Sequence, residues 1–300
     1  FPLNDTAKKA EAQQLFKEVI DYATARNKYW MADMDAWNQS WLHENDNKYA
    51  IFEIQYIAEA GQGNPMVTLT VPSNPGTDWC GNNLVTGTHV YIERGLQRHF
   101  IAKDEITGEY LDKRADGTLN LKETVDEDGN IVTSEGNTFY TKYFESKVKR
   151  AKFGMSDMDA TIVDRTYWPQ NFQLLRIEDI MLLYAECVGN TIEGREVVNK
   201  IRRRAGLADL DINLSEEEFQ KAVQDERRYE LAEEGVRWFD LVRRNEYVDT
   251  IKQMFIDDDD TENGTYKQYA NRVNADMYLY PIPQSQIEVR KGLYTQNKGY

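Results

Sequence analysis

The 300-residue chain is poor in the groups that most often announce chemistry. Its two cysteines, Cys80 and Cys187, are far apart and in unlike segments, so they assemble neither a disulfide framework nor a CxxC metal or redox site. Cys187 lies on an apolar helical stretch, where a buried free thiol is expected. The three histidines, His43, His89 and His99, show no HExxH or His-x-His spacing, and each is expected on the surface or satisfied within the core. Nucleophile elbow, Walker loop and GxGxxG are all missing. Basic charge is short as well. Thirty-six Lys and Arg face 51 Asp and Glu, a net −15, which removes the positive footprint that a nucleic-acid backbone requires. No apolar run approaches the roughly eighteen residues of a membrane span. The chain starts at Phe1 with neither initiator methionine nor signal sequence, the start expected of a processed chain or a fragment.

Apolar bulk and rings are what the chain does have. With 41% hydrophobic residues it can bury a substantial core, as one large domain or two small ones. Eighteen tyrosines and six tryptophans offer flat faces suited to stacking on sugar rings, although most of them must serve as core or half-buried surface. The 51 acids make accidental carboxylate pairs unavoidable, so a pair by itself carries no specificity for hydrolysis.

Local patterns place the elements. Ala12, Leu15, Phe16, Val19, Ile20 and Ala23 recur at three and four, predicting an amphipathic helix from about Thr6 to Ala25. Phe52, Ile54 and Tyr56 alternate with Glu53 and Gln55, the pattern of a half-buried strand. From about Gly61 to Gly154, clusters of Gly, Asn and Asp replace helical periodicity. Within that region Val67 to Val71 suits a strand. Thr118 to Val125 and Ile131 to Thr133 flank a hairpin loop holding Asp128-Gly129. A calcium loop fails there for want of glycine at its sixth position and glutamate at its twelfth. It fails again from Asp259, which has Gly264 at six but Ala270 at twelve. Both acidic runs therefore read as solvated loops. The run Leu174 to Cys187 is apolar on nearly all sides and predicts a central buried helix, with Arg176, Glu178, Asp179 and Glu186 finding partners. A helix from about Gly194 to Ala205 stops at a left-handed Gly206. Ser215 with Glu218 makes a capping box, and prolines 281 and 283 force Leu279 to Pro283 into an extended path.

The stretch Asp225–Arg244, DERRYELAEEGVRWFDLVRR, organises the rest. Six acids and five arginines share it with bulk to bury from Tyr229, Leu231, Val236, Trp238, Phe239, Leu241 and Val242. Arg227 with Glu230, Glu233 with Arg237, and Asp240 with Arg243 and Arg244 stand three or four apart, so opposite charges mostly meet on neighbouring turns. One reading is a surface helix laced with salt bridges. The other is an ion-pair network inside a helical core. It is favoured because every base is arginine, whose planar fork suits partly buried bidentate pairs.

This stretch resembles the ERR-x-EL-x-x-EG-x-R-x-x-DL-x-R signature of the RagB/SusD family of outer-membrane nutrient-binding lipoproteins, through Glu226, Arg227, Arg228, Glu230, Leu231, Glu234, Gly235, Arg237, Asp240, Leu241 and Arg243. Leu175, Arg176, Asp179, Leu182, Tyr184, Ala185 and Glu186 are similar to the family's LLRxxDxxLxYAE. Asn199, Ile201, Arg202, Arg204, Ala205, Gly206 and Leu207 are similar to its N-x-I-R-x-RAGL. The closing QNKGY resembles QNPGY, with Lys298 where proline is usual. The likeness runs in patches along the chain and is dense from residue 172 to 300.

The resemblance implies a mainly α, SusD-like fold of tetratricopeptide-like helices with irregular loops and a few short strands. The signature segment is structural in it, and Tyr29, Trp37 and Trp41 are core rings. Residues 1–300 stand for the carboxyl-terminal part of a single domain. In it 1–60 packs a helix and strand on the helical core, 61–171 is a loop-rich excursion, and 172–300 holds the signature helices and tail. A missing amino-terminal segment is implied, carrying the lipidated cysteine and the first helices and covering an apolar face of the helices present here.

The implied function is non-catalytic capture of an oligosaccharide or other nutrient at the cell surface. The bound nutrient is then delivered to a SusC-like TonB-dependent transporter, without metal or cofactor. The alternatives are a structural or assembly protein of the cell surface without sugar binding and, less favoured, a glycosidase. Family ligand contacts come from variable loops, so the site must be read from residues. Trp79 sits on the Gly- and Asn-rich loop NPGTDWCGNNLVTGTHVYIERG, where it either staples the loop to the core or offers its face to a pyranose. On the second reading Tyr91 adds a ring, while Asn82, Asn83 and Arg94 hydrogen-bond hydroxyls. Trp168, next to Tyr167, is a second candidate platform.

Overall fold

The computed structural model describes residues 6–45, 48–59, 61–66, 70, 92–119, 123–125, 131–133, 140–145, 149–150, 153–155, 168–258, 265–290 and 292–300. The chain is mainly helical and divides into two compact units. One comprises Ala7–Ile92 and Leu96–Gly235, the other Phe1–Thr6, Glu93–Gly95 and Val236–Tyr300. No described helix is long and apolar enough to cross a membrane.

In chain order the first elements are α1 (Thr6–Arg26), α2 (Met34–Gln39), a 3-10 turn at His43–Asn45 and strand β1 (Ala50–Ile54). Next come α3 (Arg94–Ile101), α4 (Ala115–Thr118), β2 (Glu123–Val125) and β3 (Ile131–Thr133). Strand β4 (Phe172–Arg176) leads into α5 (Ile177–Val188), α6 (Ile192–Arg204) and α7 (Glu216–Glu230). The expected hairpin is present, β2 pairing antiparallel with β3.

The main core of the larger unit forms where α5, α6 and α7 meet, through Leu182, Ala185, Val198, Ile201, Phe219 and Val223. Phe16, Val19 and Ile20 of α1 pack on it half-buried, as the three-and-four spacing predicts. Local signals bound α6 at both ends. The Thr191 hydroxyl accepts from Gly194 N at 3.0 Å to open α6, and Gly206 at φ 79° closes it, with Leu207 N donating to Arg202 O at 2.9 Å. The capping box at the start of α7 is complete: Glu218 N donates to Ser215 Oγ at 3.2 Å, and Ser215 N to Glu218 Oε2 at 2.7 Å.

Two expectations are corrected. The buried helix begins at Ile177, because Leu174, Leu175 and Arg176 belong to β4, which pairs antiparallel with β1. Strand β1 exists, but its apolar alternation faces outward. Phe52 is 59% exposed and Ile54 is exposed, whereas Gln173 and Arg176 of the partner strand are buried. Trp37 and Trp41 are core rings, edge-on at 5.6 Å, with Tyr143 edge-on to Trp41 at 5.4 Å, while Tyr29 is half-buried. Of the strand expected from Val67 to Val71, residues 67–69 and 71 lie outside the described residues.

The smaller unit holds α8 (Arg237–Arg243), α9 (Tyr247–Asp257), α10 (Thr265–Ala270), a 3-10 turn at Ala275–Tyr278 and α11 (Gln284–Val289). Helix α8 ends at Asn245, which takes a left-handed φ of 59°, and Glu246 N then donates to Leu241 O at 2.9 Å. Asn tolerates that conformation, and it turns the chain sharply into α9. Leu279–Pro283 runs extended, as its prolines require.

Candidate functional site

The signature stretch folds as α7, a turn and α8, interrupted where Glu233 and Gly235 take φ of 70° and 77°. Its carboxylates look across the larger unit more than along their own helix. Glu230 is fully buried and is the hub. Its Oε1 accepts from Arg176 Nη1 at 2.7 Å, Arg204 Nη2 at 2.6 Å and Trp37 Nε1 at 3.1 Å, and its Oε2 from Arg114 Nη1 at 2.8 Å. Arg114 also forks onto Asp112, at 2.9 and 2.7 Å, and reaches Glu226 at 2.7 Å. Arg204 pairs with Glu178, and Lys142 Nζ donates to Glu234 at 2.8 Å. Arg202 approaches Glu226 at 3.3 Å.

These groups set five cations against five carboxylates, which is why so much charge survives out of water. Burying one ion costs several kcal/mol, and only close, hydrogen-bonded partners offset that cost. Burial opposes the Glu230 charge, but the Arg204, Arg176 and Arg114 guanidiniums outweigh it and hold the carboxyl well below the usual range. Burial pulls Lys142 below its ordinary value against the attraction of Glu234. Of the expected pairs within the stretch, Arg243 Nε does meet Asp240 at 2.9 Å, whereas Arg227 turns to Asp179 on α5 at 2.8 Å. Arg227 and Glu230 are therefore scaffold.

Glu233 has a different environment. The residue is half-buried, but its carboxylate is enclosed: Oε2 accepts from Lys142 N at 2.9 Å and Oε1 has no hydrogen-bond partner. Burial pushes this carboxyl up to about 7 against the Lys142 charge and the Thr70 hydroxyl.

Of the residues selected from sequence as ligand contacts, Trp79, Asn82, Asn83 and Tyr91 lie outside the described residues, as does Tyr167. Arg94 opens α3 half-buried, its backbone N–H donating to both oxygens of Asp258 at 3.3 Å. Trp168 is 3% exposed and edge-on to Phe144 at 5.3 Å, a packing position rather than the open platform expected.

Sequence spacing also hides one polar group. His43 Nδ1 lies 3.0 Å from the buried Glu145 carboxylate and 3.3 Å from Glu44, close enough together for a metal ion. Arg150, however, pairs with both Glu145 and Glu44, so its guanidinium already supplies the cation. His43 and Glu145 are 102 positions apart, beyond any motif.

The smaller unit carries exposed rings. The Trp238 ring on α8 meets Tyr247 on α9 at 4.6 Å and Tyr280 at 5.9 Å, inclined 36° to the latter. Tyr280 remains 75% exposed, and Phe239, expected to be buried, is 69% exposed. The extended segment under Tyr280 is clasped by the tail. Gln296 Oε1 accepts from Ile282 N at 2.8 Å, its Nε2 donates to Ile282 O at 2.9 Å, and Asn297 Nδ2 donates to Tyr280 O at 2.6 Å.

Comparison with known proteins places this architecture. The model described as SusD family matches residues 6–300. A SusD-like protein P38 from Formosa agariphila is 27% identical over 227 residues, covering 66% of this chain and 43% of the relative. Surface glycan-binding protein A from Bacteroides uniformis superposes with a TM-score of 0.66 at 24% identity, over 99% of this chain and 58% of that one. Surface glycan-binding protein A from Bacteroides thetaiotaomicron, in complex with laminarihexaose, superposes with a TM-score of 0.66 at 20% identity, over 99% and 61%. The chain thus spans less than two thirds of the length of each of these relatives.

Proposed function

Because the chain belongs to the SusD family, we propose that it binds a neutral oligosaccharide at the outer-membrane surface and passes it, chemically unchanged, to a SusC-like TonB-dependent transporter. The observation that carries this reading is the match over residues 6–300 together with a similar fold seen in a glycan-binding protein holding laminarihexaose. The charge of the chain supports it. At −15 the protein repels anionic polymers at long range and leaves neutral, polar ligands as the class it suits. The buried network also supports it. Its arginines and carboxylates are committed to one another inside the fold, so polar recognition falls to side chains elsewhere.

The loop carrying Trp79, Asn82, Asn83 and Tyr91, with Arg94 beyond it, is the proposed contact region. An indole face covers the C–H groups of a pyranose, while the amides, phenol and guanidinium engage its hydroxyls. Trp79→Ala tests this in a binding assay against the oligosaccharide selected by a glycan array. Weaker binding at an unchanged melting temperature is expected. Equal loss of affinity and stability assigns the ring to packing.

A further inference from the structure

The turn after α7 holds Glu233 at φ 70°, a left-handed backbone that a glutamate seldom adopts. From there its carboxyl joins two segments remote in sequence. Oε2 accepts from Lys142 N at 2.9 Å, and the buried Thr70 hydroxyl lies beside the carboxyl. An enclosed carboxylate needs donors at both oxygens, yet Oε1 has no hydrogen-bond partner. Thr70 has one hydroxyl proton to give, and it goes to Met66 O at 3.1 Å. The cations around Glu233 are engaged elsewhere. Lys142 Nζ donates to Glu234 at 2.8 Å and to Glu230 O at 3.0 Å, and Lys149 Nζ donates to Lys142 O at 3.0 Å and to Thr141 O at 3.3 Å. The Tyr143 phenol faces the same region, pushed up by burial first and then by Glu234 and Glu233.

These surroundings suit a neutral carboxyl better than an anion. A protonated Glu233 still accepts from Lys142 N through its carbonyl oxygen, and Thr70 Oγ1, having given its proton to Met66 O, keeps lone pairs that accept from a carboxyl O–H. An ionised Glu233 instead competes with Met66 O for the Thr70 proton. We propose that Glu233 is a proton-operated latch: protonated, it holds residues 66–70 and 140–145 against the turn after α7, and ionised, it draws the Thr70 hydroxyl from Met66 O and loosens both segments. Burial, which pushes the carboxyl up to about 7, sets the direction: the latch is fully closed below about pH 4.5 and opens as pH rises through about 7. Glu230, held below the usual carboxylate range, stays ionised throughout that window.

One other group acts on the same segments in the same sense. His43 Nδ1 lies 3.0 Å from Glu145, whose carboxylate raises the imidazole above its ordinary value, so this pair also weakens as pH rises. The test therefore uses two variants of the full chain, with no sugar present. Hydrogen exchange read by mass spectrometry at about pH 5.5 and about pH 8, corrected for intrinsic exchange, reports the protection of residues 66–70 and 140–145. The wild type should lose roughly tenfold in protection at the higher pH. Glu233→Gln, which keeps an acceptor for Lys142 N and has no proton to lose, should change far less, and His43→Gln should respond like the wild type. Equal protection of the wild type at both pH values overturns the latch. So does a full loss that persists in Glu233→Gln, or one that disappears in His43→Gln.

Discussion

Arg176 grips Glu234 with two parallel hydrogen bonds, Nε to Oε2 at 2.7 Å and Nη2 to Oε1 at 2.8 Å, tying the end of β4 to the turn after α7. The same guanidinium reaches the Glu230 carboxylate and lies 5.6 Å from the Trp41 ring centre. A lysine cannot reproduce a planar fork, so Arg176→Lys leaves at least one buried carboxylate short of a donor. A loss of about 3 kcal/mol is expected, within the range for breaking buried pairs. Urea unfolding measures it, and a change below about 1 kcal/mol would show the fork to be dispensable.

The pH dependence of stability has a separable component at Glu233. Its folded-state pKa of about 7 stands above the ordinary 4.5, so the native chain holds this proton more tightly than the unfolded chain does. The resulting stability is complete below about pH 4.5 and is lost as pH rises through about 7, at most about 3 kcal/mol. Glu230 behaves oppositely. Its depressed pKa contributes stability that is lost only as pH falls below the ordinary carboxylate range. Glu233→Gln carries no titrating proton, so its unfolding midpoint should decline less between pH 5 and 8 than that of the wild type. Identical slopes would assign the pH dependence to other groups.

Gly117 on α4 is where the chain passes close beneath α2. A Cβ there would meet Asn38 Oδ1 and the Trp37 ring, both held in place by their surroundings. Gly117→Ala should cost about 1–3 kcal/mol through overpacking, despite the better helix propensity of alanine. A thermal melt checks it. A neutral or stabilising effect would mean that Trp37 can move.

The pairing of Arg150 with Glu44 and Glu145 predicts what happens when the guanidinium is removed. In Arg150→Ala, His43 and the two carboxylates remain within metal-binding reach but have lost their cation. Zinc should therefore raise the melting temperature of Arg150→Ala more than that of the wild type. Equal zinc responses in both proteins would contradict this.

Much of the fold was legible because its signals are local. The Ser215–Glu218 box, the left-handed Gly206, the prolines at 281 and 283 and the spacing along α1 each act within a few residues. The partners of the buried charges were not legible. Arg114 and Arg176 join Glu230 from 116 and 54 positions away, and no spacing rule reaches that far. The same network explains the misread face of β1. Arg176 must point inward to reach Glu230 and Glu234, so the sheet buries a polar side and turns Phe52 and Ile54 outward. Trp238 and Phe239 read as bulk to bury because they sit amid the signature residues. Phe239 is nonetheless exposed and Trp238 only half-buried, its ring meeting Tyr247 beyond the Asn245 turn and Tyr280 more than forty residues later. Trp168 misled in the other direction, since its enclosure depends on Phe144.

Binding without chemistry is the claim on which the rest depends. Calorimetric titration of the chain with the oligosaccharide selected on the array, followed by mass spectrometry of the recovered sugar, tests it most directly. Saturable heat with every glycosidic bond intact is the predicted result, and either the absence of saturation or recovery of shortened sugar would contradict it.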